Sequence, residues 1–272
     1  MSPPEETASA HAIVSRIRTG GKAVVALSGG VDSSLVAALA FEALGPDATA
    51  ITLDGPSVSR AEVARARQVA EAIGIEHVVL PVDQLSRKEY RENGWDRCYH
   101  CRAVETSVLR EFADPRGARQ YLDGVQSDDM NDVRPGLRAM DEAGFRHPLL
   151  WGRWGKAEVR AEARRRGLPN WDQPSDACLA SRVAHGEPVT SEVLARIESA
   201  EKALLRRGFR RVRVRVRGGS ARIEVGSDEL PRLLSEPLAS EVVQEVGEIG
   251  FRTVTIDPRG YHGGPGTLPV IP

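Results

Sequence analysis

The sequence predicts an α/β protein: a parallel-sheet domain over residues 1–185, followed by a smaller α+β domain over 186–272. Three observations carry this. Short apolar runs alternate with helix-length stretches from residue 22 to about 167, the pattern of strands buried between covering helices. A stretch rich in Pro and Gly at 168–188 interrupts the alternation. Beyond it the order changes to one helix and then two strands that meet at Gly218 and Gly219. A chain of 272 residues has room for two domains of about 150 residues or less.

Taken in order, KAVVAL at 22–27 is the first strand, and the Ala/Leu-rich run 33–44 is a helix stopped by Gly45 and Pro46. Residues 48–53 form the second strand. Ser59 with Glu62 three residues later is a capping box for a helix running to Ile73, with Gly74 as its stop. Residues 77–82 are a third strand, 103–112 a helix, 121–123 the end of a fourth strand and 156–166 another helix. Such sheets bind ligands at the carboxyl ends of their strands. The irregular stretch 168–188 reads as a functional loop. In the second domain a helix at 191–207, strands at 211–217 and 221–225, one or two short helices and a strand near 253–256 are expected, with an irregular tail at 260–272.

Composition narrows the function. Hydrophobic residues make up 41% and charged residues 28%, which excludes disorder over most of the length. A net charge of −1 argues against a protein that coats nucleic acid. No run reaches the roughly 18 apolar residues of a membrane helix, and residues 1–10 have no apolar segment of a secretory signal. Three cysteines make a poor disulfide framework. They fit a reducing, cytoplasmic setting, where clustered thiols bind metal or do chemistry.

Ser28-Gly29-Gly30-Val31-Asp32-Ser33-Ser34 lies between the first strand and the first helix. Main-chain N–H groups of a glycine turn together with a helix N-terminus bind phosphate, and the three serines add hydroxyl donors. The string is neither a Walker A loop nor a dinucleotide fingerprint. Cys98-Tyr99-His100-Cys101 is a C-x-x-C, and Cys178 follows far along the chain. The residues leave four uses open: a redox dithiol, a structural zinc with His100 or His185, unrelated buried thiols, or a [4Fe–4S] cluster on three thiolates.

The S-G-G-x-D-S string resembles the PP-loop of the ATP pyrophosphatase superfamily. That resemblance implies cleavage of ATP between its α and β phosphates, adenylylation of a substrate oxygen, and Mg²⁺ on the pyrophosphate with Asp32 near the metal. Residues 167–182 (GLPNWDQPSDACLASR) resemble the cysteine segment of the LarE family of ATP-dependent sulfur transferases. So do 123–129 (DGVQSDD) leading into Arg134-Pro135-Gly136, 156–160 (KAEVR), Arg213-Val214-Arg215 and 221–225 (ARIEV). The resemblance runs from about residue 10 to about Tyr261. It implies a pyridinium-3,5-biscarboxylate mononucleotide as substrate, a thiocarboxylate product, and a place in making the nickel-pincer nucleotide cofactor of lactate racemase. Gly124 is implied in nucleotide binding. Some members give up the sulfur of one cysteine, which Cys178 matches; others hold a [4Fe–4S] cluster on three cysteines. Cys98, Cys101 and Cys178 equal the cluster requirement, so a cluster-bound sulfide fed by a sulfide source is expected. A homo-oligomer is expected too. The runner-up is a PP-loop [4Fe–4S] tRNA thiolase; a nucleotide-binding regulator without chemistry is a third reading.

Arg211, Arg213, Arg215 and Arg217 alternate with valines, which puts four guanidiniums on one strand face. A bare pattern of this kind is a solvated face, or charge that discourages edge pairing. As an anion clamp it would bind phosphate with paired donors. The resemblance matches Arg213 and Arg215 to the substrate's phosphate, with Ser181, Arg182 and Glu224 as further substrate contacts. Asp128, Asp129 and Asp132 are either Mg²⁺ or substrate contacts, or loop caps. Trp151 and Trp154 read as packing and Trp171 as a brace for the cysteine loop. Lys156 and Arg160 are either phosphate ligands or a solvated helix face, and His147 and His185 have no visible partner.

Overall fold

A computed structural model of the chain describes residues 8–131, 135–174 and 176–261. It divides into two units, Met1–Gln84 with Cys98–Asp176, and Leu85–Arg97 with Ala177–Pro272. In the first, the apolar runs form β1 (Ala23–Ala26), β2 (Ala48–Asp54), β3 (Glu76–Pro81), β4 (Gln120–Leu122) and the two-residue β5 (Phe145–Arg146). They lie parallel in one sheet, in the order β3-β2-β1-β4-β5. Helices α1 (Ala10–Thr19), α2 (Val31–Leu44), α3 (Arg60–Ile73), α4 (Arg97–Ala113), α5 (Pro135–Glu142) and α6 (Lys156–Arg165) accompany it. Because β1 has β2 on one side and β4 on the other, successive connections leave in opposite directions. That opens a crevice outside the carboxyl ends of β1 and β4.

α2 has no polar face: residues 35–40 are all buried, as suits a helix packed against α1, α3 and α6 at once. α3 carries the expected capping box at Ser59 and Glu62 and ends at Gly74 in the left-handed conformation, φ 80°. The helix expected at 103–112 begins earlier, at Arg97. Its first turn, RCYHC, has no apolar period for a sequence pattern to detect, and both cysteines of the C-x-x-C therefore lie on a helix. Nothing in the strand–helix alternation announces α1, α5 or β5.

The second unit pairs β6 (Val212–Arg217) antiparallel with β7 (Ser220–Val225), and β7 parallel with β8 (Val254–Ile256). Gly218 and Gly219 make the hairpin turn with φ of 53° and 75°, a pair of left-handed conformations that glycine adopts without strain. Val212, Val214 and Val216 are buried and the arginines between them face the other way, as period two requires. Helices α7 (Ser191–Arg206) and α8 (Leu238–Glu248) pack in this unit. The tail from residue 262 lies outside the described residues. Among those described, no helix is long and apolar enough to cross a membrane.

One polar group ties the far edge of the first sheet together. His147 Nδ1 is 2.7 Å from Asp123 Oδ1 after β4, and its Nε2 is 2.8 Å from Asp141 Oδ1 on α5. Burial opposes a charge on this ring, but the bonds to Asp123 and then Asp141 outweigh it and push the pKa up to about 9. A group whose folded pKa lies above its unfolded value stabilises fully below the unfolded pKa, near 6.5 for histidine. That contribution is lost as pH rises through about 9. His147→Gln is therefore expected to lose about 2–3 kcal/mol at pH 6 and much less at pH 10, read by urea unfolding at both values.

Candidate functional site

The glycine loop fills the turn between β1 and α2, at the crevice. Gly29 has φ 79°, and a methyl placed on it would lie 2.9 Å from Ala66 N and 3.0 Å from Glu62 O, both main-chain atoms of α3. Its carbonyl accepts from Arg65 Nε at 3.0 Å and Asn170 Nδ2 at 2.8 Å. Ser28 and Ser33 face each other, Oγ to Oγ at 3.1 Å, and Gly30 N donates to Ser28 Oγ. Ser34 is turned inward and fully buried, donating to Gly30 O and accepting from Asn170. Val31, also buried, opens α2. From the other side Gly124 closes the turn: a methyl there would sit 2.5 Å from Ser33 N and 2.8 Å from Asp32 C.

Asp32 stands in the first turn of α2. Burial raises its pKa, and Lys156 works against that, with Nζ 2.7 and 3.0 Å from its two carboxylate oxygens. Lys156 is the first residue of α6, and its main-chain N donates to Asp128 Oδ2 at 2.9 Å. Asp129 Oδ2 accepts from Gln126 N at 3.1 Å. Asp128 thus caps α6 and Asp129 braces its own loop; Asp132 and Arg134 lie outside the described residues. A glycine turn, two helix N-termini and an acid held by a lysine make a cradle suited to a nucleotide's phosphates and a hard cation.

Cys98 and Cys101 are one helical turn apart on α4, on one face. Cys101 Sγ donates to Glu105 Oε1 at 3.4 Å, and Glu105, almost fully buried, also accepts from Gln84 Nε2 and Arg102 Nη1. A methyl on Gly136 would lie 3.4 Å from Cys98 O, so α5 approaches this turn closely. None of the three cysteines is in a disulfide. Among the described residues, no group of three His, Cys, Asp or Glu side chains lies close enough to hold a metal ion.

Cys178 belongs to the second unit, in a loop organised by its own neighbours. Ser181 Oγ donates to Cys178 O at 2.7 Å. Arg182 Nη1 donates to the carbonyls of Cys178 and Ala177, while Nε reaches Glu201 Oε1 at 2.9 Å and Nη2 reaches Oε2 at 3.2 Å. Glu201 Oε1 also accepts from Val214 N, which ties the thiol loop to β6. Asn93, fully buried at φ 57°, donates to the carbonyls of Ala184 and Glu187 and accepts from Arg97. Arg97, the residue before Cys98, donates to Ala180 O at 2.8 Å.

On the polar face of β6 and β7, Arg215 Nε sits 2.8 and 2.9 Å from the oxygens of Glu224, and Arg222 reaches the same carboxylate at 3.2 Å. Asp257 holds Arg259 at 3.2 Å and Arg222 at 3.4 Å, with Arg259 keeping its carboxyl below the usual range. Arg213 lies over the Tyr261 ring at 5.3 Å.

The chain matches the asparagine synthase family over residues 7–93, the stretch that holds the glycine loop. It is 39% identical over 243 residues to an uncharacterized protein of Synechocystis sp., covering 89% of this chain and 91% of that one. It is 34% identical over 253 residues to the pyridinium-3,5-bisthiocarboxylic acid mononucleotide synthase of Lactiplantibacillus plantarum, covering 93% of this chain and 91% of that one. The chain belongs to the LarE family of ATP-dependent sulfur transferases. The tRNA-specific 2-thiouridylase MnmA of Xanthobacter autotrophicus is 33% identical over 202 residues, covering 58% of this chain and 51% of that enzyme.

Within this LarE-family chain, the structure brings Ser28, Gly29, Gly30, Asp32, Ser33 and Gly124 together around one turn. It places Ser181 and Arg182 on the Cys178 loop, where their donors serve that loop's carbonyls. Glu224 is a partner of Arg215. The sequence pattern passes over Asn170, Asn93, Arg97 and Glu201. It leaves Lys156 open between phosphate ligand and solvated face, and the structure pairs it with Asp32. Gly124→Ala is expected to cost about 1–3 kcal/mol through overpacking against main chain that cannot give way. It should also weaken ATP binding by displacing Asp32, measured by urea unfolding and calorimetry.

Proposed function

We propose that this protein converts a carboxylate of pyridinium-3,5-biscarboxylic acid mononucleotide to a thiocarboxylate, in making the nickel-pincer nucleotide cofactor of lactate racemase. What carries the proposal is the Asp32 turn at the sheet's switch point in a chain 34% identical, over 93% of its length, to the Lactiplantibacillus synthase. That identity spans both units, whereas the thiouridylase match covers 58% of the chain.

The substrate's carboxylate oxygen attacks the α-phosphorus of ATP; the bond to the bridging oxygen breaks and pyrophosphate leaves with the electron pair. Main-chain N–H groups of the turn and the N-terminus of α2 hold the phosphates, and Asp32 stands where Mg²⁺ would bind them. Guanidiniums outnumber carboxylates on the polar face of β6 and β7: Arg213, Arg215, Arg217 and Arg222 share it with Glu224, and Asp257 pairs with Arg222 and Arg259. The surplus suits the roughly −1.5 to −2 charge of a mononucleotide phosphate. The adenylate is expected to be attacked by sulfur, with AMP leaving. Cys98, Cys101 and Cys178 are proposed to hold a [4Fe–4S] cluster, for which three thiolates are the right donor type and number if one iron stays open. When bound, such a cluster supplies a hydrosulfide at that open iron.

Incubation with ATP, Mg²⁺, sulfide and the biscarboxylate mononucleotide should yield AMP, pyrophosphate and thiocarboxylate. Asp32→Ala should release no pyrophosphate; ADP and phosphate from the wild type would sink the assignment.

Anaerobically purified protein should contain iron and acid-labile sulfide, lost on replacing any of the three cysteines by Ala. After turnover Cys178 should keep its mass. A loss of about 34 Da there, in iron-free active protein, would mean that the cysteine itself gave up the sulfur.

A further inference from the structure

A glycine turn offers its N–H groups to phosphate only if they face outward, and the turn's own residues do not ensure that. Neither Gly29 nor Gly30 has a side chain to fix the plane of the peptide between them. In a trans peptide the N–H points away from the C=O, so whatever holds the Gly29 carbonyl aims the Gly30 amide. Two side chains hold it: Arg65 Nε at 3.0 Å and Asn170 Nδ2 at 2.8 Å. Arg65 is shared, with Asp176 at 4.0 Å from its Nη2. Asn170 is not shared. Its Nδ2 also donates to Ser34 Oγ at 2.9 Å, a buried hydroxyl that in turn donates to Gly30 O at 2.7 Å.

Asn170 is itself 5% exposed, and its Oδ1 is buried with no hydrogen-bond partner among the described residues. A carbonyl only accepts, so the amide nitrogen and not the oxygen must face Gly29. A buried acceptor left unpaired is costly. What the position gains is a donor pair aimed wholly at the turn. On the turn's other side, Gly30 N donates to Ser28 Oγ at 3.3 Å; Ser28 is exposed and Gly30 half-buried. Val31 then opens α2, and its N–H is one that a helix leaves without an internal partner.

We propose that Asn170 is a positioning residue for the nucleotide's phosphates: it holds the Gly29 carbonyl inward, so that the Gly30 N–H faces a phosphate oxygen at the N-terminus of α2. The proposal rests on the ATP-using function above and adds to it a residue that acts from behind the turn. A charged phosphate oxygen is a stronger acceptor than a hydroxyl and takes the Gly30 N–H from Ser28. Without Asn170, Arg65 alone restrains the carbonyl; the turn stays folded and its amide loses its aim.

The test is titration of the ¹⁵N-glycine-labelled full chain with α,β-methylene-ATP, which is not cleaved at the reacting bond, read by calorimetry and by the Gly30 amide resonance. In the wild type that resonance should move downfield as the N–H exchanges a hydroxyl for a phosphate oxygen. Asn170→Leu keeps the bulk of the side chain and has no hydrogen to give. It should bind the analogue and inorganic pyrophosphate about 30-fold more weakly, with the Gly30 shift lost, while adenosine binds within about 2-fold of the wild type. The adenosine arm separates aiming of the amide from general damage to the fold. Should Asn170→Leu fail to fold, Asn170→Asp at about pH 8 is read the same way, since a carboxylate has the same outline and no donor. A wild-type Gly30 amide unmoved by the analogue, unchanged affinities in the variants, or an equal loss for adenosine would overturn the proposal. A wild type that binds the analogue but makes no pyrophosphate from ATP would instead sink the reaction above, so the two failures are told apart.

Discussion

The turn at residues 28–34 lies where main chain approaches from two sides as closely as atoms allow. α3 comes within 2.9 Å of where a Cβ on Gly29 would be, and the segment after β4 meets Ser33 N through Gly124. Neither contact survives a side chain. Most of the first unit serves this wedge. β4 must lie beside β1 for Gly124 to arrive, and α2 must be apolar all round because three helices and the sheet bury it. Asn170, beyond α6, completes the turn by bonding Gly29 O and Ser34 Oγ. Main chain held this rigidly has little left to reorganise when a ligand binds.

The second unit solves a different problem, how to hold Cys178 on an irregular loop. Its device is a buried ion pair. Arg182 and Glu201 have side chains 2% and 12% exposed, and removing one partner of such a pair costs about 3–5 kcal/mol by stranding the other. Their surplus hydrogen-bonding capacity does the positioning. Arg182 grips the carbonyl of Cys178 while Glu201 takes the N–H of Val214, so the loop and β6 are registered through one contact. Arg213 and Arg215 lie on the same strand, so the Cys178 loop and the arginine face are both built on β6.

The parts of this molecule that were legible in its sequence are those written by local rules. Period-two valines announced β6, the Ser59 and Glu62 box announced α3, and the glycine string announced the phosphate turn before any fold was known. The partners that come from distant chain were not legible. His147 finds Asp123 and Asp141, and Lys156 finds Asp32 across 124 residues, and neither spacing has a pattern. A lysine followed by an arginine four residues on looks the same whether it faces water or a buried acid. The first turn of α4 was missed for a related reason: RCYHC carries charge and sulfur, and its helical state depends on tertiary contacts rather than on periodicity.

Net charge is an average over the whole chain. At −1 it says nothing of the polar face of β6 and β7, where Arg213, Arg215, Arg217 and Arg222 share one side with Glu224. Scale decides what such a face can hold. A protein that binds a nucleic-acid backbone through 6–10 phosphate contacts needs a surface of comparable positive charge, extended along the strand. A patch confined to one three-stranded sheet is too small for that. Glu224 and Asp257, both buried, hold Arg215, Arg222 and Arg259; under the proposed function they would orient those guanidiniums toward one phosphate group.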